Sequence, residues 1–342
     1  MSKDRKELNR REFIRKGAQL AAGAAVLGAG IVDGSVPRDK QIPLTDAIPT
    51  RTFGKTGVEL PALAMGGSGI VKIWGSTLSH EDNVALIRYA YKKGVRYFDT
   101  AGNYMESEPI MGEGLKGIRD KVYLATKVET TDPSQVRRAV EASLKKLQTD
   151  YLDCIQIHGT PGIEQMSVKQ AMAIHAELVK LRDEGITRFV GMTAHHYFDK
   201  AYELISTGGF DQCMLAYGYF RKGMIRILDH RMLELREMCL TKAHELDMGI
   251  LSMKVMGWVL GRQAKRFVPE FDPKGLRQLP AAAIRWVRHD SRIHLLCIGM
   301  SDKSDVDRNV LALTHPPALT SADRAVLASF AVKAYQHPDF KS

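Results

Sequence analysis

Thiols are scarce in this 342-residue chain: it has four cysteines, Cys154, Cys213, Cys239 and Cys297, and no two make a Cys-x-x-Cys pair. That scatter argues against zinc or iron–sulfur ligation by clustered thiolates, and a chain of this size needs no disulfide framework. Three of the four stand in apolar, strand-like runs, where cysteine behaves as a small buried hydrophobe. Aromatic residues are also few, at 7%, and no long Lys/Arg run interleaves with them. The formal charge of +10 therefore does not describe a nucleic-acid surface. Much of it comes from Lys3, Arg5, Lys6, Arg10, Arg11, Arg15 and Lys16. A modest positive field still helps attract an anionic cofactor or substrate. No apolar run reaches the roughly twenty residues of a spanning helix. The adjacent His195 and His196 point apart on a strand, which argues against a metal held between them.

What the chain does have begins at its N-terminus. Residues 9–16 read Asn-Arg-Arg-Glu-Phe-Ile-Arg-Lys, and a weakly hydrophobic Ala/Gly stretch follows over 18–32. A paired arginine followed by such a stretch resembles a twin-arginine export signal. The resemblance implies recognition by the twin-arginine machinery, a periplasmic or otherwise exported location, and membrane contact only through this segment. The alternative is a basic tail leading into a surface helix. No single A-x-A cleavage site stands out, and no cysteine near the end of the run suggests lipoprotein processing. The expected division is signal and linker over 1–45 and one folded domain over 46–342.

Beyond residue 52, short apolar runs alternate with longer amphipathic stretches. Strands are expected at 60–65, 96–100, 122–127, 152–158, 189–193, 212–217, 250–254 and 294–298. Most lack polar alternation, as parallel strands covered on both faces should. Helices are expected at 81–93, at 133–147 behind Asp132 and Pro133, and at 168–184 with Gly185 as the stop. Eight such units predict an α/β fold, a closed (β/α)8 TIM barrel. A doubly wound open sheet is the runner-up, but Met65-Gly66-Gly67-Ser68-Gly69 matches its glycine fingerprint only loosely. Residues 52–60 read as a short hairpin suited to the barrel floor.

In such a barrel the chemistry sits at the C-terminal ends of the strands. Asp99 ends the second strand, Tyr104 follows on its loop, Lys127 ends the third and His158 the fourth. An aspartate or lysine ending an apolar strand is costly unless paired. Reducing a carbonyl needs a proton for the developing alkoxide, and tyrosine is a poor acid or base near neutrality unless an ammonium stabilises its phenolate. Asp99 would hold Lys127 charged, and His158 would donate a hydrogen bond to the carbonyl oxygen. Each residue alone has a structural explanation. The four together point to catalysis.

The segment Asp99-Thr100-Ala101-Gly102-Asn103-Tyr104-Met105-Glu106-Ser107-Glu108 resembles the FDTAxxYGxSE stretch of aldo/keto reductases. Residues 143–158, Ser-Leu-Lys-Lys-Leu-Gln-Thr-Asp-Tyr-Leu-Asp running on to Ile157-His158, are similar to that family's SLxxLxxDYxD…H. Residues 185–193 resemble its GKIRxIGVS. The resemblance covers about residues 50–315. It implies a barrel oxidoreductase in which Tyr104 is the acid/base, Lys127 and Asp99 tune it, and His158 orients the carbonyl. It also implies NADP(H) or NAD(H) as cofactor and a small-molecule carbonyl or alcohol as substrate.

The expected cofactor contacts are Gly67, Thr193, His195, Met214, Met253, Lys254, Gly299, Ser301, Lys303 and Asn309. Several depart from the family pattern. Thr193-Ala194-His195 stands for a Ser-Asn pair, Met214 for a glutamine that binds the carboxamide, and Met253 for an aromatic residue that stacks on nicotinamide. Met253 is followed by Lys254 rather than Ser-Pro, a strand ending found in some divergent members. Residues 299–309 resemble the phosphate-binding turn and helix start. Asp305 there replaces an arginine that grips the adenosine 2′-phosphate, leaving the choice between the two dinucleotides open. The altered contacts leave room for a second reading, a nucleotide-binding sensor or scaffold with little turnover. A sugar hydrolase would need two strand-end carboxylates; Asp99 and Glu129 are the nearby candidates, and Lys127 has no role in it. Residues 220–236 are expected to form a loop and helix over the mouth of the barrel.

Overall fold

The computed structural model describes residues 40–221 and 227–340. The twin-arginine reading falls on residues outside that range. Residues 40–45, expected as linker, lie against the folded domain: Lys40 Nζ is 3.0 Å from both oxygens of Asp153, and Arg96 Nε donates to the Pro43 carbonyl at 2.6 Å.

The chain enters through an antiparallel hairpin, β1 (Thr50–Thr52) and β2 (Glu59–Pro61). Eight parallel strands follow: β3 (Leu63–Gly66), β4 (Tyr97–Asp99), β5 (Tyr123–Val128), β6 (Leu152–Ile157), β7 (Thr187–Ala194), β8 (Gln212–Ala216), β9 (Gly249–Met253) and β10 (Leu295–Gly299). They pair in sequence order, and β10 pairs with both β9 and β3, closing a (β/α)8 TIM barrel. The run expected as a first strand at 60–65 divides: Leu60 and Pro61 belong to the hairpin, and the barrel begins at Leu63. The alternation of inward and outward side chains is invisible in the sequence because both directions are buried. Every residue of β5 and β6 is buried, one set by the barrel interior and the other by helices.

The helices form where the pattern indicates. Val136–Lys146 buries Val136, Val140, Ser143 and Leu144, one stripe at helical spacing, behind Asp132, which accepts from Ser134 N at 2.9 Å. Val168–Asp183 starts in a reciprocal capping box between Ser167 and Gln170. Gly185, at φ +77°, follows its end. Of the segment expected over the mouth, 220–236, residues 222–226 lie outside the described range, and its last part opens helix His230–Glu245, capped by Asp229.

The barrel floor is aromatic. Tyr97 and Tyr123 stack at 4.7 Å between ring centroids, and Gln212 bridges them, accepting from Tyr123 Oη and donating to Tyr97 Oη, each at 2.8 Å. Phe53, from the hairpin turn, stands edge-on to both rings at 6.0 and 6.1 Å and is fully buried. The hairpin thus plugs the floor, and the polar strand ends face the opposite, open end.

Candidate active site

The four strand-end residues converge. Lys127 Nζ donates to Asp99 Oδ2 at 2.6 Å and to the Thr100 carbonyl at 2.7 Å. The other Asp99 oxygen accepts from Gln156 Nε2 at 3.1 Å. The Tyr104 ring centroid lies 5.0 Å from Lys127 Nζ and 5.7 Å from the His158 ring. His158 Nδ1 lies 3.2 Å from Glu129 Oε1. Lys127, Asp99 and His158 are buried, whereas Tyr104 is half-buried.

Local hydrogen bonds fix the Tyr104 loop. Tyr104 N donates to Ala101 O at 3.0 Å, and Ser107 N to Tyr104 O at 2.7 Å. The Ser107 hydroxyl donates to the Gly67 carbonyl at 3.0 Å and meets Thr100 Oγ1 at 2.8 Å. Glu108, buried behind them, accepts from Thr126 Oγ1 at 2.8 Å. A Cβ at Gly67 would lie 2.5 Å from Ser107 Oγ and 2.8 Å from the Asp99 carbonyl, so only glycine lets helix Ser107–Leu115 approach the turn after β3 this closely. Met105, next to Tyr104, sits at φ +44°, a conformation that costs a non-glycine residue energy and is frequent at functional loops.

Burial and charge oppose each other here. Burial pushes the Tyr104 hydroxyl up to about 12 while the Lys127 ammonium pulls it down. Burial alone would depress the Lys127 ammonium, but Asp99 and Tyr104 together hold it above the ordinary lysine range. His158 and His195 are both pushed down by burial, His195 well below the usual imidazole range. The expectation that the ammonium brings the phenolate toward neutrality is not met: Lys127 pulls the hydroxyl down, but desolvation is the larger effect and the net shift is upward.

The expected cofactor residues fall into two groups. Thr193 and Met214 are register partners across β7 and β8, and Met253 pairs with Ala216 across β8 and β9. His195 and Lys254 immediately follow β7 and β9. Thr193 is already engaged: its hydroxyl accepts from Gly159 N at 2.7 Å, tying β7 to the loop after β6. His195 is 6% exposed and its Nδ1 has no hydrogen-bond partner, while His196 pairs with Glu164 at 3.2 Å. Lys254, at φ +60°, holds its ammonium 5.8 Å from the Trp258 ring. In the second group, Gly299 ends β10 beside Gly66, and Ser301, Lys303 and the buried Asn309 lead into helix Lys303–Thr314. Gly67 lies under Ser107 and serves packing.

The start of that helix is acidic as well as amide-rich. Asp302 accepts from Asp305 N at 2.8 Å, and Asp305 Oδ2 accepts from Ser301 N at 2.9 Å. Arg262 reaches Asp302 and Asp305 at 2.5 and 2.9 Å, and Arg308 also meets Asp305. Sequence reading missed Arg262, because the pairing spans 43 positions to Asp305. It also missed Trp74, whose ring stands edge-on to Tyr104 at 4.9 Å, and Gln156, whose one signal was an amide inside an apolar strand. In the sequence Glu129 stands out only as half of a hydrolase pair. In the structure Asp99 binds Lys127 and Glu129 binds His158, which leaves no free pair of carboxylates for that chemistry.

The residues present fit a nicotinamide dinucleotide at two places. The orphaned, buried Nδ1 of His195 offers a polar contact at the end of β7. The turn after β10 offers a helix start flanked by Ser301, Lys303 and Arg262.

Comparison with known proteins agrees with this geometry. The aldo/keto reductase family profile matches residues 62–272. The chain is 30% identical over 293 residues to an L-galactose dehydrogenase from Arabidopsis thaliana, covering 80% of this chain and 90% of that protein. It is 29% identical over 155 residues to a probable aldo-keto reductase 1 from Glycine max, covering 41% and 43%. Its fold superposes on the holo form of aldo-keto reductase AKR11C1 from Bacillus halodurans with a TM-score of 0.65 at 21% identity, covering 83% and 96% of the two chains. The chain belongs to the aldo/keto reductase family.

Proposed function

We propose that this nicotinamide-dependent carbonyl oxidoreductase uses Tyr104 as its general acid/base on a sugar-like carbonyl or alcohol. The observation that carries the reading is the arrangement of Lys127 Nζ, 2.6 Å from Asp99 and 5.0 Å from the Tyr104 ring. The bound nicotinamide supplies or accepts the hydride at carbon; the chain's own residues manage the oxygen. Tyr104 donates its proton to the developing alkoxide, and Lys127 stabilises the phenolate left behind. Asp99 keeps Lys127 charged and aimed, and Gln156 holds the second Asp99 oxygen. The likeness to a protein named L-galactose dehydrogenase supports the sugar-like class.

The acidic helix start supports NAD(H) over NADP(H). Asp302 and Asp305 neutralise Arg262 and Arg308, so a 2′-phosphate would meet two carboxylates where a ribose hydroxyl would find acceptors. Fluorescence titration with NADH and NADPH tests this; tighter binding of NADPH overturns it.

The N-terminal sequence supports export through the twin-arginine route. Replacing Arg10 and Arg11 by lysine should leave the protein in the cytoplasm on fractionation. Unchanged export of that variant excludes the route.

A further inference from the structure

Trp74 reaches the site from a 3-10 turn, Lys72–Trp74, in the loop after β3. The roots of that turn are fixed: Val71 is fully buried, and Ser76 N donates to the Val71 carbonyl at 3.2 Å. Its tip has no such packing. Residues 72–75 are all exposed, and a groove of about 390 Å³ beside them is lined by Ile73, Met105 and Ile110 rather than filled. Two interactions tie the tip to the loop of Tyr104. Lys72 N donates to Glu106 Oε1 at 2.9 Å, and the Trp74 ring stands edge-on to Tyr104, 4.9 Å between centroids and 89° between planes. Among the described residues the first is the one hydrogen bond that joins residues 72–75 to anything outside their own loop. Glu106 is itself held, because its carbonyl accepts from Ile110 N at 3.2 Å at the start of helix Ser107–Leu115. The Lys72 amide keeps the Glu106 carboxyl below the ordinary glutamate range, so it is ionised and accepting near neutral pH. Met105, between Tyr104 and Glu106, keeps its left-handed φ of +44°, which a non-glycine residue does only where its surroundings over-determine it. The Glu106 bond is such a constraint.

We propose that Glu106 is a positioning residue: its bond to the Lys72 amide holds Trp74 against Tyr104, and the wall so built selects substrates that carry a ring at the reacting carbon. This rests on the reading of Tyr104 as the acid/base, and it narrows the sugar-like class to its cyclic members. Trp74 remains 44% exposed, so much of the indole is open beside the acid/base. The C–H face of a ring can pack on that surface while Tyr104 reaches the oxygen. A two-carbon aldehyde is too small to cover it. Glu106 touches neither substrate nor Tyr104 in this arrangement; it acts through the turn alone.

The test has two independent arms. In the first, hydrogen exchange resolved at the Lys72 amide by NMR reads the bond without turnover. That amide should be protected in wild type and in Glu106→Gln, which keeps an acceptor oxygen, and should exchange about ten-fold faster or more in Glu106→Ala. In the second arm, NADH-dependent reduction of benzaldehyde is compared with that of acetaldehyde. The ratio of their kcat/KM values should fall about ten-fold in Trp74→Ala, the upper worth of one aromatic contact, and similarly in Glu106→Ala. Glu106→Gln should regain most of that loss. Adding Glu106→Ala to Trp74→Ala should lower the ratio no further, because the carboxylate acts only through the indole. Equal exchange of the Lys72 amide in wild type and Glu106→Ala, an unchanged ratio in Glu106→Ala, or additive losses in the double variant overturns the proposal. If neither aldehyde turns over in any variant, the reductase reading fails instead, and the exchange rates still decide whether Glu106 holds the turn.

Discussion

Lys127 and Asp99 form a fully enclosed ion pair, 2.6 Å from nitrogen to oxygen, at the end of two adjacent strands of the barrel. Neither charge is stable there alone, since removing one partner of a buried pair costs about 3–5 kcal/mol. Lys127→Met should therefore lower both the melting temperature and the activity. Lys127→Arg should recover more of the stability than of the activity, because a planar guanidinium does not reproduce the compact ammonium beside Tyr104. Thermal denaturation and steady-state kinetics on the two variants separate these effects. Equal stability of Lys127→Met and wild type would contradict the pairing.

The pH dependence of the two reaction directions should differ. Burial pushes Tyr104 up to about 12, so its proton is present throughout the neutral range. Reduction should stay flat from neutral to moderately alkaline pH and then fall, whereas alcohol oxidation, which needs the phenolate, should rise with pH. A reduction rate already falling between pH 7 and 9 would mean that another group supplies the proton.

Acid stability follows from the buried histidines. His158, His175 and His195 are pushed down by burial, and His294 is lowered to about 4. Between those depressed values and the unfolded value of about 6.5, the unfolded chain binds more protons than the folded one. Stability is therefore intact above about pH 6.5 and declines as the pH falls below it. Melting temperatures from pH 8 to pH 5 should drop on the acid side, and a flat profile would contradict the burial of these rings.

Much of this was legible in the chain. Eight apolar runs ending in Asp99, Lys127 and His158 stand out because a charged residue closing an apolar strand needs a reason, and the helix patterns survive almost unchanged. The strand at 60–65 was harder, since Leu60 and Leu63 look alike to periodicity while a turn at Ala62 sends them to different sheets. Arg262 and Trp74 were invisible because neither a loop nor a single 3-10 turn carries a period. Glu129 was visible only as a carboxylate; what it faces depends on how β5 and β6 align, and that register is a tertiary fact.

A second buried charge cluster ties the first described residues to the barrel. Asp153 accepts from Lys40, Arg119 and Arg188 at 3.0, 2.8 and 3.1 Å and from Leu124 N at 3.0 Å. Asp153→Ala should destabilise the protein by about 3–5 kcal/mol, because it removes the buried carboxylate that three cations share. Chemical denaturation measures this, and a loss below about 1 kcal/mol, the range of an exposed pair, would contradict it.

Gly67→Ala tests the packing beneath the active-site loop. The added methyl would meet Ser107 Oγ at 2.5 Å, and overpacking of this kind costs about 1–3 kcal/mol. Activity should fall with it as the Tyr104 loop shifts. A variant as stable and as active as wild type would show that Ser107 does not set that loop.

The most direct test of the central claim is NADH binding and oxidation by wild type and Tyr104→Phe, with hydroxyaldehydes as substrates. The account predicts that both proteins bind the nucleotide, that wild type oxidises it in the presence of a hydroxyaldehyde, and that Tyr104→Phe loses about 100-fold or more in rate. Binding without turnover in wild type, or turnover undiminished in Tyr104→Phe, would contradict it.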